Sequence, residues 1–175
     1  MNKIYAALIW AAFAFDFSSR GACHSTSDKH SNRLVKRMPR QKSFSYVVRA
    51  SQAGSELLVF VSLEELGLEV PKGSVQPGET PAQAAVREIW EESGLIGLIL
   101  IRELGVTLWQ DEEQHFYLFK TDQALPDQFE HVVTGQDGDR GMRYQYRWIK
   151  VTPALSQSLV QGSNRFVREL MAALE

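Results

Sequence analysis

The stretch from Pro71 to Leu95, PKGSVQPGETPAQAAVREIWEESGL, constrains the fold more than any other part of this 175-residue chain, because both ends of a helix are written into it. Thr80 has the hydroxyl an N-cap needs. Pro81 suits the first helical position, where its missing N–H is not required, and Gln83 at the third position completes a capping box. Gly94 supplies a left-handed stop. These signals predict a helix over 81–93. At 100° per residue, Glu88, Glu91 and Glu92 fall within about a 100° arc. Ala82, Ala85, Val86, Ile89 and Trp90 take the other side. The expectation is an apolar face docked on a sheet, with three carboxylates projecting opposite to it.

A glutamate-rich helix is usually just a solvated face, and like charges at these spacings destabilise by only ~0.2–0.5 kcal/mol per pair. The context changes that reading. A loop containing Gly73, Pro77 and Gly78 leads straight into the helix and brings backbone carbonyls beside the carboxylates. Hard divalent cations take such all-oxygen shells, and magnesium completes its shell with waters and substrate phosphates. Water so held, next to a carboxylate, becomes a nucleophile near neutral pH.

The spacing is that of a known signature: Gly73, five residues, Glu79, seven residues, Arg87-Glu88-Ile89, any residue, Glu91-Glu92, any residue, Gly94-Leu95. It matches every position of the Nudix box, and the chain from about residue 43 to 175 resembles a Nudix hydrolase. The resemblance implies an α/β fold, the Nudix-type α/β/α sandwich with a mixed β-sheet between helices. It implies that Glu88, Glu91 and Glu92 bind magnesium, with manganese as the other accepted ion, and that the carbonyl of Gly73 completes a site. Arg87 would hold a carboxylate in place, with Glu79 as its partner. The general base differs across the family; here it is a box glutamate such as Glu88, or a downstream acid among Glu112, Glu113, Asp137 and Asp139. The last two also suit a structural turn.

The implied activity is hydrolysis of a diphosphate linkage in a nucleoside diphosphate attached to another moiety, by attack of water on phosphorus. The alternative is a non-catalytic nucleotide-binding module on the same fold, although such modules usually lose box glutamates and none is lost here. An isomerase built on the same box is a third reading. The lead-in Pro71-Lys72-Gly73 is similar to that of hydrolases of dinucleoside polyphosphates and of diphosphoinositol polyphosphates. No proline occurs between Thr107 and Glu112, where many ADP-ribose hydrolases carry one.

Lys72, just before the box glycine, and Arg49, at the end of a strand, are candidate phosphate contacts, since both neutralise phosphate and Arg does so bidentately. Trp109, Phe116, Tyr117, Tyr144, Tyr146 and Trp148 lie on two alternating aromatic strands; such residues usually fill the core, and of those that could stack on a base Trp109 is favoured because it lies at a strand end. His115 and His131 lack metal-ligand spacing and read as structural.

Strands are expected over 44–49, 56–62, 98–109, 114–120 and 143–151, with turns at 52–55, 111–113 and 135–139, and a second helix over 164–174. Strands with intervening helices point to a mixed sheet packed between helices.

Residues 1–37 form a separate segment. Its apolar run Ile4 to Phe15 would span roughly 18 Å as a helix, against roughly 30 Å of hydrocarbon, so a stable membrane span is not expected. The segment reads as a dispensable extension ahead of Met38, as a signal-peptide core with a poor cleavage region, or as a membrane-surface anchor. The domain proper is 38–175. The compartment is cytoplasmic, or secreted or periplasmic if 1–37 acts as a signal. Six of the 19 Lys/Arg and two of the 21 Asp/Glu fall in 1–37, so 38–175 carries 13 against 19, a net of −6. An acidic body that handles a polyanion needs a cation between the two. The whole-chain charge of −2 and pI near 6.1 argue against duplex nucleic acid as a partner. A single cysteine, Cys23, excludes a disulfide framework and a cysteine-rich zinc site. A homodimer is left open.

Overall fold

The frame of the molecule is a long strand, β1 (Arg40–Ser51), whose residues alternate between two cores. A computed structural model describes residues 39–62 and 67–175; the expectations for 1–37 and Met38 lie outside the described residues. On one face of β1, Phe44, Tyr46 and Val48 join a core with Leu57, Phe116, Leu155, Val167 and Leu170. On the other, Val47 joins Leu58, Phe119, Tyr146 and the helix residues Ala85 and Ile89. Period-two alternation in SFSYVV thus sends the large side chains one way and the small Ser43 and Ser45 the other. Both serines are fully buried under the helix, where their hydroxyls donate to the carbonyls of Pro81 (2.6 Å) and Ala85 (3.5 Å).

The remaining elements are β2 (Gly54–Ser62), β3 (Gly67–Glu69), β4 (Lys72–Ser74), α1 (Pro81–Ser93), β5 (Ile99–Trp109), β6 (Glu112–Lys120), β7 (Gln128–Val132), β8 (Arg143–Lys150), α2 (Leu155–Ser158) and α3 (Val167–Ala172). Among the described residues eight strands form one sheet in the order β5-β6-β1-β2-β8-β7, with β3 on β2 and β4 on β1. β1 and β6 run parallel and the other pairs antiparallel, so the sheet is mixed. With α1 on one face and α2 and α3 on the other, the architecture is the expected α/β/α sandwich. No helix among the described residues is long and apolar enough to cross a membrane.

α1 has the expected bounds and caps. Thr80 Oγ1 accepts from the Gln83 N–H, Gln83 Oε1 accepts from the Thr80 N–H at 2.8 Å, and Gly94 turns left-handed at φ 72°. Its orientation differs from expectation. Val86 and Trp90 are 55% and 51% exposed, whereas Glu88 and Glu92 are 3% and 4% exposed, in the same buried sector as Ala84, Ala85 and Ile89. Two of the three carboxylates therefore face inward. The reason is tertiary: the small Ala84 and Ala85 let the helix lie close to β1, and polar partners waiting there receive the carboxylates.

The second expected helix is shorter, because residues 161–166 form turns tied to the sheet: the Tyr46 hydroxyl donates to the Ser163 carbonyl at 2.7 Å and accepts from the Phe166 N–H. The expected strands all exist. β3, β4 and β7, of three to five residues, carry too little pattern to be read in advance.

Candidate active site

The site is built where β1 forks. Near its start β1 pairs with β4, placing Ser43 opposite Gly73, and near its end it pairs with β2. β4 thereby lies beside the inward face of α1. A Cβ at Gly73 would fall on the carboxyl of Glu88, so only glycine allows this close approach.

Arg87 is the hub. Its Nε and Nη2 hold Glu79 bidentately at 3.1 and 2.7 Å, and Nη2 also donates to the Ser74 carbonyl at 2.8 Å. Nη1 donates to Glu88 Oε1 at 2.6 Å and to Glu91 Oε2 at 2.8 Å. One planar guanidinium thus ties the glycine loop, the residue before the helix and two box glutamates into a single unit. Burial opposes the charge of Arg87, but the carboxylates of Glu79, Glu88 and Glu91 hold it firmly protonated. Glu79 is held below the usual carboxylate range: burial pushes it up, and its bonds to Arg87 and to the Gln76 N–H more than offset that.

Glu88 and Glu92 behave oppositely. Burial pushes the Glu88 carboxyl up to about 7, against the pull of Arg87 and with the fields of Asp137 and Glu91 adding to it. Glu92 is pushed well above its ordinary value by burial; the Lys72 N–H, donating to Oε2 at 3.0 Å, only partly counters this, and Glu88 and Asp139 add to it. A further cation beside them would favour the charged form of both carboxyls. The donors are hard oxygens, with the glycine-loop backbone adjacent, which fits magnesium or manganese. Among the described residues no three acidic, imidazole or thiol groups are drawn into a ready ligand set; Arg87 Nη1 stands between Glu88 and Glu91.

Beside Glu92 opens a cleft of about 1150 Å³ whose lining includes Lys72, Gly73, Asp137, Asp139 and Tyr144. The loop carrying Asp137 and Asp139 is anchored to the end of α1. The Thr134 N–H donates to the Glu91 carbonyl at 3.0 Å, His131 Nε2–H donates to the same oxygen at 3.2 Å, and a side chain at Gly135 would meet the Glu91 carboxylate. Asp139 accepts from the Tyr144 hydroxyl at 3.0 Å. Of the four downstream acids, then, these two face the box.

Glu112 and Glu113 stand at the β5–β6 hairpin, where Glu113 Oε1 accepts from Gln41 (2.8 Å) and meets His115 Nε2 (2.9 Å). His115 bonds Glu103 and Glu113, and His131 bonds the Glu91 carbonyl. Lys72 lines the cleft, with its Nζ paired to the carboxylate of Glu69. Arg49 and Trp109 are not brought to the glutamates. Arg49, six residues along β1 from Ser43, holds Glu56 (2.8 Å), the Leu125 carbonyl (3.1 Å) and Asp127 (2.5 Å), with its guanidinium 4.6 Å from the Trp148 ring. Trp109 lies on the α3 side of the sheet, its ring 4.1 Å from the Arg165 guanidinium. Apart from Glu56, seven residues on, these partners are distant in sequence. Glu69 and Gly135 were missed: each gains its place only through strand pairing or loop anchoring, and neither carries a local signal.

The NUDIX domain family model matches residues 39–170. The chain belongs to the Nudix family. Among curated proteins this Nudix chain is 33% identical over 109 residues to diphosphoinositol polyphosphate phosphohydrolase 2 of Mus musculus, covering 61% of the chain and 56% of that protein. It is 46% identical over 47 residues to an RNA pyrophosphohydrolase of Brucella ovis, covering 27% and 26%. The chain thus spans about half the length of the first of these relatives and a quarter of the second. Among solved structures, the Ap4A hydrolase of C. elegans superposes with a TM-score of 0.57 at 18% identity, covering 79% of this chain and all of the other, which is a likeness of fold.

Proposed function

We propose that this Nudix chain is a magnesium-dependent pyrophosphohydrolase, with manganese also accepted, cleaving the diphosphate linkage of a nucleoside diphosphate attached to another moiety. One observation carries the reading. Glu92 lines the cleft together with Gly73, and Glu88 is buried directly against Gly73, so an ion held there would sit where a diphosphate can enter. Glu88, Glu91, Glu92 and the Gly73 carbonyl are the groups that would hold the ion. A divalent cation there offsets the charge of the diphosphate and acidifies the attacking water. The names of the relatives, all hydrolases of phosphate anhydrides, support the same chemistry.

The chain's own residues do the rest. Arg87 ties Glu88 and Glu91 to the glycine loop as one oriented unit. Lys72, which lines the cleft, would meet a phosphate oxygen by exchanging its pairing with Glu69. The proton of the attacking water goes to a carboxylate oxygen, of Glu88 on the helix side or of Asp137 or Asp139 on the loop side. The substrate is a small phosphorylated molecule and not duplex nucleic acid. The full-length protein with magnesium, given a panel of nucleoside diphosphate derivatives and scored by product mass, is expected to split the anhydride with water. A Glu92→Gln variant that turns over as fast as the parent refutes the assignment, since a metal-binding carboxylate matters by orders of magnitude.

A further inference from the structure

The side of α1 turned away from its glutamates is apolar and open to solvent. Val86 and Trp90 stand there, exposed, whereas Arg87 and Glu91 take the side that meets the glycine loop and the loop after β7. The helix runs along β1, with its Pro81 carbonyl over Ser43 and its Ala85 carbonyl over Ser45. β4 lies on one flank of that strand, and β6 followed by β5 on the other. At 100° per residue, Val86 falls on the side of the helix opposite to Arg87, and so leans toward β6 and β5.

β5 continues this apolar strip on the same face of the sheet. Leu100 and Val106 stand opposite Phe119 and His115 of β6, and Leu108 opposite Glu113. Phe119 belongs to the core beneath α1, and His115 stacks on Tyr117 of that core. Leu100 is level with the end of the helix, through Phe119 and Val47, and Val106 is level with its start, through His115 and Ser43. Trp90, Leu100 and Ile96, in the connection between α1 and β5, therefore gather at one end of the strip, with Val106 and Leu108 at the other. These six side chains are 43–66% exposed. They present roughly 600 Å², the upper limit of what a monomer leaves open, and most of the roughly 800 Å² that each copy buries in a stable dimer.

Charge shows what covers the strip. Residues 96–109 carry one arginine and one glutamate, a net of zero, against the −6 of 38–175. Glu103, on this face of β5, is held by His115 at 3.1 Å. The acidic body opposes an anionic membrane or a nucleic acid, whereas two copies of the chain repel each other least where this neutral strip meets its like. β5 also ends the sheet, but register shifts between Leu100 and Arg102 and between Glu103 and Gly105 interrupt its free edge. The copies then meet through side chains and not by extending the sheet. We propose that this strip is a self-association surface. Two copies pack face to face about a two-fold axis running across its middle, which sets the Trp90 end of each on the Leu108 end of the other.

Sedimentation equilibrium of the full-length protein across micromolar concentrations tests this with neither substrate nor metal. The parent is expected at about twice its 19.8 kDa. Leu108→Glu and Trp90→Glu are each expected to weaken association at least about a hundredfold, because each buries an unpaired charge at the contact. Val132→Glu, on β7 at the opposite edge of the sheet, is expected to leave it unchanged. All three positions are exposed, so the variants should unfold in urea close to the parent. Should a strip variant unfold early, hydrogen exchange of the parent at high and low concentration decides: protection over 96–109 that rises with concentration supports the proposal, and protection that does not change overturns it. A single-copy mass throughout, whether or not the protein floats with phosphatidylcholine vesicles, overturns the proposal. So does a dimer indifferent to both strip changes, or one that Val132→Glu dissolves.

Discussion

Removing the charge of Glu88 is expected to stabilise the metal-free protein, although it destroys the site. Burial lifts this carboxyl from 4.5 to about 7 in the folded chain. Its folded value lies above its unfolded one, so the folded state binds more protons between the two. Stability is fully present below about pH 4.5 and is lost as pH rises toward 7 and above. At about 1.36 kcal/mol per pH unit, a rise from 4.5 to 7 amounts to about 3 kcal/mol at pH 8 and under about 1 kcal/mol at pH 5. Glu88→Gln keeps the shape of the protonated acid and cannot ionise. In chelator at pH 8 it is expected to exceed the parent by about 3 kcal/mol, and by less than about 1 kcal/mol at pH 5. Urea unfolding followed by tryptophan fluorescence reads this as a shift in midpoint at constant slope. Added magnesium should nearly close the gap at pH 8, because a ligand at 100 times its dissociation constant stabilises the parent by about 2.7 kcal/mol and the variant has lost a ligand. A variant no more stable than the parent at pH 8 without metal, or a gap equal at both pH values, refutes the reasoning.

Gly73→Ala sets a Cβ on the Glu88 carboxyl; a loss of about 1–3 kcal/mol in stability and of at least about a hundredfold in kcat is expected, measured by unfolding and steady-state kinetics. Arg87→Lys keeps the charge but loses the bidentate hold on Glu79 and the bridge between Glu88 and Glu91; kcat is expected to fall more than tenfold, and a drop under twofold counts against the hub. Asp139→Asn is expected to lower activity, whereas Glu113→Gln, at the distant hairpin, stays within about twofold of the parent; the reverse pattern would move the loop acid to β6. Thr80→Ala removes the cap of α1 and is expected to lower stability by about 1 kcal/mol in urea unfolding.

What could be read in advance was local. The bounds of α1 came out to the residue because Thr80, Pro81, Gln83 and Gly94 act within one turn of themselves. The face of α1 did not, because a helical wheel places glutamates toward water by default and cannot see the Lys72 N–H or the Arg87 guanidinium that receive them inside. Arg49 and Trp109 were read as ligand contacts for a similar reason. The neighbours the fold gives them include Asp127 and Arg165, 78 and 56 residues away.

By itself, then, the order of residues determined the box, its helix, the alternation of β1 and the family, since each is set by neighbours within a few positions. Only the packed chain decided that Glu88 and Glu92 are buried, that Asp137 and Asp139 rather than Glu112 and Glu113 face them, and that Glu69 pairs with Lys72 at the cleft. Ionisation and recognition depend on which dipoles and charges surround a group in space, and strand pairing across the sheet puts those surroundings in place.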